Sequence, residues 1–150
     1  TSIPLFCEEL TDLILSITTT STSKLLLCGD FNCPGTEDTD IDPRLETVLQ
    51  EFGLIQHVTL PTRDNNLLDL IVAEPGLAVN NVLVTDAGQI SDHRLVTASL
   101  ANLDRNLFKH LSVLFVMLIQ PSLNMHCGHL NCLADLLRMS TPSPINLSES

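Results

Sequence analysis

Residues 25–28, Leu-Leu-Leu-Cys, form an apolar run with no polar face, and the run stops at Gly29-Asp30-Phe31-Asn32. A strand that is apolar on both sides has to lie inside a sheet with its two faces covered, so this segment fixes a central strand. Its end then presents a carboxylate and an amide on a rigid edge, a pairing suited to holding a metal ion or a phosphate. If strand geometry continues past Gly29, Asp30 and Asn32 project to one side. The competing reading is a plain turn, for which Gly, Asp and Asn are favoured on local backbone grounds. Further along, Ser91-Asp92-His93 is again a polar loop between strand-like runs, so both polar sets can converge at one end of a sheet.

The surrounding pattern supplies the layers. Phe6, Leu10, Leu13, Ile14 and Ile17 recur at helical spacing, which predicts an amphipathic helix over residues 4–18. A second helix over 43–52 carries clear punctuation: Asp42 as N-cap, Pro43 in the first turn, and Gly53 just past the end. Leu45, Val48, Leu49 and Phe52 form its apolar stripe. The acidic stretch between, residues 33–42, contains Pro34 and Gly35 without periodicity and reads as a loop. Strand-like runs follow at 54–58, 67–72, 82–85 and 95–100, separated by turn clusters. The fold class is α+β, with one mainly antiparallel sheet over 24–100 and the helices on one of its faces.

Composition narrows the chemistry. The chain has 150 residues, 44% of them hydrophobic, which allows one domain with a real core. Seven basic against 18 acidic residues give a formal net charge of -11, so contact with a polyanion has to be local or metal-mediated. Five cysteines (Cys7, Cys28, Cys33, Cys127, Cys132) without regular spacing point to a reducing, intracellular compartment. The apolar run at 111–119 is about half the length of a membrane-spanning helix, and no membrane association is expected. Leu107, Leu111, Leu114 and Leu118 instead fit a helix packed on the sheet. His126, Cys127, His129 and Cys132 crowd too closely for an ordinary zinc site.

Asp69 is the second chemical clue. It interrupts Leu67-Leu68-Asp69-Leu70-Ile71-Val72, and a carboxylate in so apolar a strand is costly without a partner unless the strand is an edge facing water. His93 is the natural partner, because a carboxylate on one imidazole nitrogen fixes the tautomer and aims the other nitrogen outward. Asp92 beside it is a further carboxylate able to assist a metal or a water.

Taken in order, these motifs, with Gly53-Leu54-Ile55-Gln56-His57-Val58 and Pro61-Thr62-Arg63, resemble the endonuclease/exonuclease/phosphatase superfamily. The texture is that of the endonucleases of LINE-type non-LTR retrotransposons, and the likeness covers roughly residues 5–100. It implies half of a two-sheet DNase I-like sandwich carrying a magnesium- or manganese-dependent phosphodiesterase site. By the family's pattern, Asp30 positions or deprotonates the attacking water and Asn32 holds the scissile phosphate. Asp69 orients His93, His93 stabilises the phosphorane-like transition state, Thr62 lies near the substrate phosphate, and Asp30 and Asp92 lie at the metal end. The partner implied is DNA, with nuclear localisation if the chain belongs to a retroelement protein.

The pattern also calls for a metal-binding glutamate and an early asparagine ahead of Gly29, where only one helix stands. Residues 1–103 are therefore expected to be the C-terminal half of the domain, whose natural partner is the missing N-terminal half. Residues 104–150 are expected to be an unrelated or degenerate tail, partly helical and then disordered. A half-domain exposes an apolar sheet face, so weak stability and no activity alone are expected. Two alternatives stay open: a non-catalytic remnant serving as an interaction module, and a phosphoesterase of the same superfamily acting on a lipid or small-molecule phosphoester.

Overall fold

The computed structural model describes residues 2–101 and the strand Leu111–Met117. Helix α1 (Ile3–Thr20) opens the chain and β1 (Lys24–Asp30) follows. Next come α2 (Pro43–Glu51), β2 (Ile55–Gln56) and β3 (Asp69–Ala73), then β4 (Ala78–Thr85), β5 (Leu95–Ala101) and β6 (Leu111–Met117). Helix α1 runs two residues past its expected end, and there Thr18, Thr19 and Thr20 each donate a hydroxyl hydrogen bond to the carbonyl four residues back, at 2.7–2.8 Å. Asp42 caps α2 by accepting from the Arg44 N–H at 2.8 Å, and Gly53 takes a φ of 63° just beyond the helix, where a side chain would strain the backbone.

Strand β1 is interior, as its two apolar faces require. The principal sheet has the order β2-β3-β1-β6. Strand β1 pairs antiparallel with β3, from Leu26 opposite Ala73 to Asp30 opposite Asp69, and parallel with β6. Leu25 and Leu27 on one side of β1, with Leu70 and Val72 of β3, pack under Phe6, Leu10 and Ile14 of α1 and Leu45 and Leu49 of α2. On the opposite side Leu26, Ala73 and Leu77 form a smaller cluster with Cys28, Val79 and Leu100. The α+β layering and the helices on one face agree with the sequence.

Two expectations are corrected. The strands do not form one sheet: β4 and β5 pair only with each other, in a separate antiparallel ribbon. Both edges of β3 are taken, by β1 and β2, and both edges of β1 by β3 and β6, which leaves β4 no place beside them. A register shift at Asn80/Leu83, with Asn81 at φ 50°, further sets the ribbon apart. The second correction concerns the leucine stripe after residue 106. Its part at Leu111–Met117 is a strand and not a helix, since apolar residues at that spacing serve a covered strand as well as a helix. The apolar face expected to lie bare is in part a groove of about 470 Å³ between the sheet and the ribbon, lined by Leu26, Cys28, Ile71, Leu95, Val96 and Leu100. No helix among the described residues is long and apolar enough to cross a membrane. The candidate zinc cluster and the Ser/Pro-rich end lie outside the described residues.

Candidate active site

The site forms where β1 and β3 end together. Register alone brings Asp30, the last residue of β1, opposite Asp69, the first of β3. Beyond Asp30 the chain leaves strand geometry: Asn32 sits at φ 45°, and its N–H donates to Asp30 Oδ1 at 2.9 Å. The turn held open as the competing reading is what forms here, a conformation Asn tolerates better than most residues. It leaves the Asn32 side chain exposed beside Asp30. Between them Phe31 turns inward, with no exposed surface, and its ring meets Phe6 edge-on at 6.1 Å. Its N–H donates to the Leu68 carbonyl at 2.9 Å, so the turn is bolted to the core and to the start of β3.

Asp69 finds the partner that its place in an apolar strand demands. Its Oδ2 lies 2.8 Å from His93 Nδ1, and both side chains are about a fifth exposed, at 22% and 21%. With the carboxylate as acceptor this contact is made by the Nδ1–H tautomer, and Nε2 takes no part in it. Burial pushes the Asp30 carboxyl above its ordinary value. The Asn32 N–H opposes that rise, the Asp69 carboxylate adds to it, and His93 and Arg63 pull it down. Asp30, Asp69 and His93 thus form one electrostatic unit.

Thr62 and Asp92 are placed differently from that unit. Thr62 is fully buried, and its hydroxyl oxygen accepts from the N–H groups of Leu68 at 3.1 Å and Asp69 at 2.9 Å, so it faces the backbone at the start of β3. Asp92 points out, 68% exposed, with Oδ2 2.7 Å from an Arg63 guanidinium nitrogen. Sequence reasoning gave no role to Arg63 and Arg94, which flank the site. Arg94 donates from its main chain to the Thr62 carbonyl at 2.7 Å and from its guanidinium to the Pro61 carbonyl at 3.0 Å. A signal was available: two of the seven cations in a strongly acidic chain fall inside or beside the motifs themselves. Ser91 was likewise passed over, and its hydroxyl oxygen accepts from the His93 N–H at 3.0 Å.

Among the described residues no group of three or more His, Cys, Asp or Glu side chains is arranged to hold an ion, and Asp92 is engaged by a cation instead.

The endonuclease-reverse transcriptase family model matches residues 4–97, well over half of the chain, and the chain belongs to that family. It is an endonuclease-like domain of the retrotransposon type, and the match runs from within α1 to within β5, taking in Asp30, Asn32, Thr62, Asp69, Asp92 and His93. Strand β6 falls outside the match yet pairs with β1 along its whole length. No curated protein and no solved structure matches the chain.

Proposed function

We propose that this chain carries the water-activating and phosphate-facing side of a phosphodiester hydrolysis site that nicks DNA, and that alone it nicks weakly or not at all. The observation behind the reading is the 2.8 Å contact between Asp69 and His93 beside Asp30 at the end of β1. A carboxylate held above its ordinary pKa binds a proton more readily, which suits Asp30 to take one from an attacking water. When protonated on both nitrogens, the imidazole anchored on Asp69 can present Nε2–H to an equatorial phosphoryl oxygen, and the exposed Asn32 amide can donate to a second. Hydrolysis also needs the phosphate charge neutralised. The carboxylates that would hold magnesium or manganese for that purpose are not assembled among the described residues, so the domain's other half is taken to supply them.

Nicking of supercoiled plasmid in magnesium tests the reading. The chain alone should nick no faster than its His93→Ala variant. Joined to the first half of a family member's domain, the wild type should nick and the His93→Ala variant should lose at least two orders of magnitude in rate, as loss of a transition-state contact commonly does. Equal nicking by the two joined proteins would refute the assignment of His93. Nicking by the chain alone that depends on both magnesium and His93 would refute the claim of incompleteness.

A further inference from the structure

We propose that Thr62 is a positioning residue: its buried hydroxyl sets the start of β3, its carbonyl holds the His93 segment, and the two together fix the Asp69–His93 contact without touching substrate. The inference deepens the reading above and rests on it for the dyad's catalytic purpose, although the geometry stands apart from any activity.

Asp69 and His93 come from elements that do not pair with each other. Asp69 opens the principal sheet's β3, whereas His93 lies in an exposed loop just before β5, which belongs to the other sheet. The Pro61-Thr62-Arg63 turn bridges them. Thr62 Oγ1 accepts from both Leu68 and Asp69 N–H, which fixes where the Asp69 side chain leaves the strand. The Thr62 carbonyl accepts the Arg94 N–H at 2.7 Å, one residue past His93. The turn is itself closed by Thr62 N–H on the Asn66 carbonyl at 2.9 Å and by Asn66 N–H on the Arg63 carbonyl at 2.8 Å, so it is a rigid part. Arg94 to the Pro61 carbonyl and Arg63 to Asp92 add two further ties across the same gap. Thr62 has no exposed surface, which keeps its hydroxyl away from a substrate phosphate and leaves it to serve the backbone.

The imidazole tautomer of His93 reports the contact directly and needs no DNA, so this test can fail or succeed whatever the nicking assay shows. In the whole chain at a pH where His93 is neutral, nitrogen-15 spectra should show one tautomer, protonated at Nδ1. Thr62→Val keeps the shape but removes the acceptor, and should lose the Nδ1-protonated form in favour of the mixture seen for a free histidine, with faster amide exchange at Leu68 and Asp69. Thr62→Ser keeps the hydroxyl and should retain the wild-type tautomer. A folded Thr62→Val chain with lower stability and an unchanged His93 tautomer overturns the proposal, since Thr62 would then be core packing only. A wild type protonated at Nε2 overturns its premise. If Thr62→Val does not fold, Thr62→Cys, of similar size with a weak sulfur acceptor, takes its place: partial loss of the Nδ1-protonated form supports the proposal, and full retention overturns it.

Discussion

Replacing Phe31 should show how the core holds the site. The ring has no exposed surface, and it separates the two polar residues of the Asp30–Asn32 turn. Truncation to Ala removes its packing and leaves a cavity that the central strand beside it has little freedom to close, which commonly costs about 3–5 kcal/mol. A domain of this size has about 5–15 kcal/mol of stability in all. With a urea dependence of about 2 kcal/mol per molar, the unfolding midpoint of Phe31→Ala should fall by roughly 2 M. Part of that loss belongs to the edge-on pair with Phe6, whose ring planes stand at 87°. A double-mutant cycle of Phe31→Leu and Phe6→Leu isolates it, and a coupling of about 0.5–1.5 kcal/mol is expected. A coupling indistinguishable from zero would refute the pairing. A Phe31→Ala cost below about 0.5 kcal/mol, the range of a surface substitution, would refute the claim that this ring anchors the turn.

Three further predictions follow from the same geometry. The raised pKa of Asp30 means that the folded state holds its proton more tightly than the unfolded one; stability therefore falls as pH rises from about 3.8 through the raised value, and the cost persists above it. Calorimetry of Asp30→Asn should show a higher melting temperature than wild type at pH 7 and no gain below pH 3.8, and an equal or lower value at pH 7 would contradict the burial argument. A Cβ added at Gly35 would sit 1.8 Å from the Thr39 carbonyl oxygen, so Gly35→Ala should destabilise by about 1–3 kcal/mol in urea unfolding, and a neutral result would mean that the 33–42 loop is not closed as described. Isothermal titration of the chain with magnesium should show no saturable site at millimolar concentrations, and stoichiometric binding would show that the carboxylates here assemble a centre by themselves.

The residues that declared themselves in sequence were those whose local chemistry has one solution. A run apolar on both sides, residues 25–28, had to be interior, and Asp42-Pro43 with Gly53 had to bracket a helix. Asp69 needed a partner, and His93 was the partner at hand. What sequence did not carry was pairing between distant edges. Whether β4 joins β3 depends on which strands already occupy its edges, and β2, only two residues long, gave little sign that it would take one. The strand at Leu111–Met117 was read as a helix because a short apolar run satisfies either period. The Thr62 motif is visible in sequence but its burial is not; only the fold shows its hydroxyl accepting from the backbone of β3.

Asp30, Asn32, Asp69 and His93 are proposed to face one phosphodiester. Amide and imidazole resonances of the isotope-labelled chain, followed during titration with a short DNA oligonucleotide at low salt, test it most directly. Saturable shifts are expected at Asn32, Asp69, His93 and Arg94, sharing one dissociation constant and vanishing in Asn32→Ala. Shifts confined to the outer faces of α1 and α2, or saturation with His93 unmoved, would contradict it.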